Sequence, residues 1–192
     1  MSPITHFLVG WVVANSADLN RRDRAAITFA GISPDIDAAG IIVEKLTLGS
    51  DQPLLWWTEY HHVISHNVGF GIFISAVVFA IAKKKWTTTG LAVLSFHLHL
   101  LGDIIGARGP EGFQWPIPYF LPFSNAWQIT WQGQWALNAW PNFVITGALL
   151  VVSFYLAWKR GYSFIEMVSV SADNTFVKTL RNRFGDPTPS EQ

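Results

Sequence analysis

The chain has 192 residues, half of them hydrophobic and only 14% charged, with Lys+Arg and Asp+Glu equal at 13 each. That length suits one domain with a buried core, and the balanced charge gives no global attraction to nucleic acid. Cysteine is absent, which excludes disulfides, thiolate metal sites and cysteine nucleophiles together; a metal here must be held by nitrogen and oxygen.

Residues 4–17 read as a short apolar helix, capped by Ser2 with Pro3 at its first position. This segment lacks a basic leader and a small-residue cleavage site and it carries His6, so it reads as part of the domain rather than as a secretory signal. Arg21, Arg22 and Arg24 follow. A second helix over residues 25–32 is expected to stop before Ser33-Pro34, because a residue preceding proline disfavours the helical conformation. Pro34-Asp35-Ile36-Asp37 is then a polar break, and an apolar stretch over 38–43 leads into a polar loop over 45–55.

Residues 68–82 are continuously apolar and end on Lys83-Lys84-Lys85. Residues 90–107 are apolar apart from His97, His99 and Asp103. A Pro-, Gly- and Trp-rich irregular connection over 108–140 carries Trp115, Trp127, Trp131, Trp135 and Trp140, a residue type suited to membrane interfaces. Residues 141–158 carry no charge, are closed by Lys159-Arg160, and come nearest to the ~20 apolar residues a spanning helix takes. Beyond Gly161 the sequence turns polar, and 186–192 is expected to be disordered. The expected architecture is all-α: a membrane-embedded helical bundle with a metal-site domain over 1–165 and a polar, partly disordered tail over 166–192.

Arg21–Arg24, Lys83–Lys85 and Lys159-Arg160 are the basic clusters beside apolar segments. If all of them face the cytoplasm, the candidate ligands His6, Asp35, Asp37, His66, His99 and Asp103 fall on the half of the molecule away from them.

Five of the six histidines occupy two blocks, His61-His62-Val63-Ile64-Ser65-His66 and His97-Leu98-His99. His99 and Asp103 lie one helical turn apart on one face. His62 and His66 have the same spacing, whereas His61 and His66 suit a helix start. Asp35 and Asp37 sit at the break, where a carboxylate can bridge metals or support an imidazole. Asp103 is expected to have a partner, because a desolvated lone charge costs several kcal/mol or is neutralised. A single histidine in an apolar helix is ordinarily a hydrogen-bonded core residue, and His97 reads that way.

The order His6, Ser33-Pro34-Asp35-Ile36-Asp37, His61–His66, His99–Asp103, Trp115-Pro116 and Pro122-Phe123-Ser124 resembles the YdjM-like family. Those proteins are described as inner-membrane-associated metal-dependent hydrolases with a LexA-binding label. The resemblance covers residues 1–160. Where the family typically reads His-Arg-x-x-Thr-His-Ser, this chain has His61-His62-Val63-Ile64-Ser65-His66-Asn67, so His61 and His66 match the family histidines and His62 replaces the arginine. The motif order is also distantly similar to zinc-dependent phospholipase C, which implies His99 and Asp103 as ligands, Asp35 as a bridging or supporting carboxylate, and His6 as a further ligand.

The expected function is a metal-dependent hydrolase of the bacterial-type inner membrane, acting on a phosphoester, phospholipid or other ester. One or two divalent ions, zinc by preference, would be held by His6, Asp35, His61, His66, His99 and Asp103. Asp37 or Glu59 would accept the proton or support a ligand. Membrane lipid is the expected partner, and nucleic acid is not. The alternative is a non-catalytic membrane protein that uses the cluster for structural metal binding or ion transport; a LexA-type interaction has no docking segment to support it.

Overall fold

The computed structural model describes residues 1–109 and 114–187, which are helical with no strand among them. Helix α1 (Pro3–Ala14) starts as expected: Ser2 Oγ accepts the Thr5 N–H at 3.2 Å, and Pro3 takes the position where its missing donor costs nothing. Helix α2 (Arg21–Ile32) begins before its apolar pattern does, because Asn20 caps the Asp23 N–H. Pro34 offers no N–H to the Ala30 carbonyl, so Ser33 Oγ donates to it at 3.0 Å. The chain then tightens into a 3-10 helix, Ser33–Ala39, and resumes as α3 (Gly40–Thr47). The expected stop at Pro34 is therefore a change of pitch within one helical run, Arg21–Thr47.

A short α4 (Trp56–Tyr60) precedes the first histidine block, and Asn67 caps α5 (Val68–Ile81) through the Phe70 N–H at 2.9 Å. Helix α6 (Lys85–Gly106) also starts earlier than its hydrophobicity suggests. Asp23 on α2 accepts the Lys83 and Lys84 N–H groups at 2.8 and 2.9 Å, which anchors the turn leading into it. Helix α7 (Trp140–Arg160) ends on Gly161 at φ 79°, a left-handed conformation that favours glycine.

Helices α1, α2 and α6 form the heart of the bundle, with α5 against α6 and α7 against α1. At their crossing a Cβ on Gly31 would stand 3.2 Å from Gly10 Cα and run into Ser95 Oγ, so small residues set the close approach. Ala14, Leu19, Ile27, Ala30, Val78 and Ala92 fill the core towards the basic end. Large apolar side chains cover the outside, among them Ile72, Phe73, Leu94, Phe143, Val144 and Val151. Three helical segments are long and apolar enough to cross a membrane: Arg21–Thr47, Lys85–Gly106 and Trp140–Arg160. The membrane-embedded all-α bundle read from the sequence is the architecture found.

The basic clusters gather at one end, where Asp23 beside Arg22 and Arg24 holds the Lys83 and Lys84 N–H groups. There Arg160 Nη2 donates to the Asn15 carbonyl at 2.9 Å, and Lys84 Nζ to that of Asp18. The polar segment after Gly161 folds as a 3-10 helix, Phe164–Met167, and α8 (Val170–Phe184). Glu166 pairs with Arg24 of α2, so this segment is tied to the bundle across the expected 165/166 boundary. Of the expected disordered end, 188–192 lies outside the described residues. The connection over 108–140 is irregular where described. Its Tyr119 and Leu121 carbonyls accept the Val68 and Gly69 N–H groups at 2.7 and 3.1 Å, satisfying donors that the start of α5 leaves free.

Candidate metal centre

Asp35, His66, His99 and Asp103 each offer one ligand atom, and these atoms all lie within 4.8 Å of one another. Three separate pieces of chain supply them: the 3-10 helix after α2, the turn before α5, and two successive turns of α6. His66, His99 and Asp103 are fully enclosed.

The tautomers follow from the outer hydrogen bonds. His99 Nδ1–H donates to the Gly31 carbonyl at 2.7 Å, one of the last carbonyls of α2 and so short of a helical partner. His66 Nδ1–H donates to Asp37 Oδ2 at 3.2 Å, and His61 Nδ1–H to Asp37 Oδ1 at 2.8 Å. With Nδ1 donating, each neutral ring carries a lone pair on Nε2. His66 Nε2 and His99 Nε2 face each other at 3.3 Å, and Asp103 Oδ2 stands 3.4 Å from the first and 3.1 Å from the second. Two lone-pair nitrogens and a carboxylate oxygen this close repel one another unless a proton or cation lies between them. Asp103 Oδ2 and Asp35 Oδ2 are buried and accept no well-directed hydrogen bond.

Burial disfavours charge on His66, yet the neighbouring Asp103 and Asp37 carboxylates push its pKa up to about 9, favouring a positive charge at this point that a bound cation would replace. His62 behaves oppositely: burial outweighs the attraction of Asp103 and holds it well below the ordinary histidine value, hence neutral.

The remaining sequence candidates take places around these four. His6 Nε2–H donates to Asp103 Oδ1 at 3.1 Å, and its ring stacks on His99 at 3.6 Å. Gly102 makes that stacking feasible, since a Cβ there would lie 3.1 Å from His6 Cε1. The Met1 amino group also reaches Asp103 Oδ1. His61 stacks on Trp57 at 3.9 Å and meets Trp115 edge-on at 5.2 Å. Asp37 clamps His61 and His66 while also accepting the Ser65 N–H. Glu59 is exposed on α4 and lines, with His61, a cavity of about 350 Å³. His97 faces away, bonded to the Val93 carbonyl and the Tyr119 hydroxyl.

The structure adds His62, whose Nε2 is 3.7 Å from Asp103 Oδ2 and whose buried Nδ1 is unpaired. Helical spacing within the first block proves to be the wrong guide. Residues 61–67 form a turn, with His62 at φ 68° in the left-handed region, and that turn folds all three imidazoles inward. The density of histidine in the block was the available signal. The supporting roles of Ser65, Trp57 and the Gly31 carbonyl had none.

Neither a curated protein nor a solved structure matches the chain. Residues 1–173 match the family described as YdjM inner membrane protein. That match spans every residue of the cluster, and the apolar helices point with it to an inner membrane. The chain belongs to the YdjM inner membrane protein family.

Proposed function

We propose that the protein is a metal-dependent hydrolase of the inner membrane, with one zinc-like divalent ion held by His66, His99, Asp103 and Asp35. One observation carries this reading: the unshared Nε2 atoms of His66 and His99 and Asp103 Oδ2 stand 3.1–3.4 Å apart with no hydrogen bond closing the gap on that oxygen. Ligand atoms about 2.0–2.1 Å from a tetrahedral zinc are separated by roughly 3.3 Å, so the spacing fits that ion. Imidazole and carboxylate suit it chemically, and the carboxylate–histidine pairing through Asp37 is the usual support for such ligands. Bound there, the ion supplies Lewis acidity, which acidifies water and polarises a phosphoryl or ester oxygen.

The chain's own residues supply the rest. Asp37 fixes the His66 ring, the Gly31 carbonyl fixes the His99 ring, and His6 holds Asp103 Oδ1 so that Oδ2 turns inward. Trp57 and Trp115 pack against His61, and Trp115 also against His62. In hydrolysis water adds across a P–O or C–O bond, one proton leaves the water, and one reaches the departing oxygen. His61 and Glu59, at the adjoining cavity, are the groups placed to carry those protons. With the basic clusters on the cytoplasmic side, the site faces the opposite side of the membrane.

The test is turnover by zinc-loaded, detergent-purified protein on a panel of phosphodiesters, phospholipids and carboxylic esters. Hydrolysis of at least one class, lost in Asp103→Ala, is expected. Complete burial of His66 and His99 favours a second reading, a closed structural metal site. Stoichiometric metal with no turnover on the panel would select it. Ion transport is disfavoured by the apolar core lying between the cluster and the basic end.

A further inference from the structure

The cluster stands between two openings of opposite character. On one side, an apolar groove of about 620 Å³ runs between the start of α1 and the end of α2. Ile4, Phe7, Phe29, Ile32 and Ile36 line it, and it closes on Asp35. Ile4, Phe29 and Ile36 are exposed at its mouth, the last two within the membrane-length segment Arg21–Thr47. The second opening is the cavity lined by Thr58, Glu59, His61, Trp115, Asn125 and Gln128, where Glu59 is the acidic group among the described residues.

A continuous chain of contacts joins the two. Asp35 Oδ1 lies 3.7 Å from His99 Nε2, which lies 3.3 Å from His66 Nε2. His66 bonds Asp37 at 3.2 Å, and Asp37 bonds His61 at 2.8 Å. Two other apolar grooves, one beside Ile74 and Val77 and one beside Ile72 and Phe73, touch no residue of the cluster. The groove at Asp35 is thus set apart by what it leads to. A half-buried carboxylate with an unpartnered, enclosed Oδ2 is an unfavourable end for a surface that merely meets the bilayer.

We propose that the ligand of this centre is a membrane phospholipid that enters sideways from the bilayer. Its acyl chain lies in the α1/α2 groove, its phosphate or ester linkage at the cluster, and its headgroup in the cavity beside Glu59. The Glu59 carboxylate there suits an amine-bearing headgroup over an anionic one. The proposal rests on the hydrolase reading for its chemistry, but the binding it describes needs no turnover.

The absence of native cysteine allows a unique reporter. Full-length protein carrying Ile36→Cys, labelled with an environment-sensitive fluorophore, is titrated in maltoside micelles with dioleoyl phosphatidylethanolamine and, separately, with deacylated glycerophosphoethanolamine. Val151→Cys on the exposed face of α7 is the control. A saturable response at residue 36 to the phospholipid alone, with only a non-saturating response at 151, is expected. Ile32→Trp, which fills the groove, should weaken that binding by on the order of tenfold. Equal responses at both labels, an equal response to the deacylated headgroup, or a signal that follows protein concentration as a second copy fills the groove would each overturn the proposal. Hydrolysis of a soluble short-chain ester without saturable lipid binding removes the groove and leaves the hydrolase. Saturable lipid binding without turnover on any substrate does the reverse.

Discussion

Both ends of this bundle bury carboxylates, and they treat them differently. At the basic end each is closed by donors. Asp23 accepts the backbone N–H groups of Lys83 and Lys84, and Asp173 accepts the N–H and hydroxyl of Ser163. Glu166 takes a two-pronged contact from Arg24 at 2.7 and 2.8 Å, and that guanidinium also stacks over Tyr162 at 3.6 Å. At the other end Asp103 Oδ2 has three imidazole nitrogens within 3.7 Å and no directed hydrogen bond. A satisfied buried charge fastens helices together. One that lacks a directed hydrogen bond and stands among imidazole nitrogens is a group that could hold a metal ion.

Exchanging the two kinds of site by mutation gives the sharpest test of that contrast. The largest effect is expected at the open end: His99→Ala or Asp103→Ala should weaken zinc binding more than about 100-fold, beyond the loss typical of supporting residues, while the protein still inserts. Metal analysis of detergent-purified protein checks it, and full metal in both variants would dissolve the distinction. At the closed end Arg24→Ala leaves Glu166 buried without its partner and should cost about 3–5 kcal/mol of stability with metal stoichiometry unchanged, read by thermal unfolding in detergent. Asp37→Asn keeps its shape but weakens its hold on two imidazoles, for an expected drop of about 10–100-fold in zinc affinity by competition with a chelator. Gly102→Ala, crowding His6 from 3.1 Å, should shift affinity by a few-fold only, on the order of 1 kcal/mol. His97→Gln should leave metal affinity unaltered in the same assay, since its bonds go to Val93 and Tyr119.

The sequence made part of this contrast readable, through two kinds of signal, neither of which pointed to Asp23, Glu166 or Asp173 as closed carboxylates. His99 and Asp103 were legible because α6 is a regular helix, in which four residues bring side chains to one face. The closed end announced itself as lysine and arginine at apolar boundaries. The first histidine block was harder, since a left-handed His62 replaces helical spacing with a turn that local sequence does not encode. Helices α2 and α6 began earlier than their apolar patterns because Asn20 and Asp23 supply acceptors, and the second of these acts across 60 residues of chain. Contacts of that range, like the Gly31 carbonyl on His99, depend on the packed bundle and leave no local trace. Proline at position 34 misled for a related reason: Ser33 replaced the lost hydrogen bond, and the chain changed pitch instead of stopping.

X-ray absorption at the zinc edge, on detergent-purified protein loaded with one equivalent, tests the central claim most directly. The account predicts a nitrogen and oxygen shell at about 2.0–2.1 Å with the outer scattering of two imidazoles, and the loss of one imidazole in His66→Ala. Zinc that washes out of the unaltered protein, or a spectrum without imidazole scattering, would contradict it.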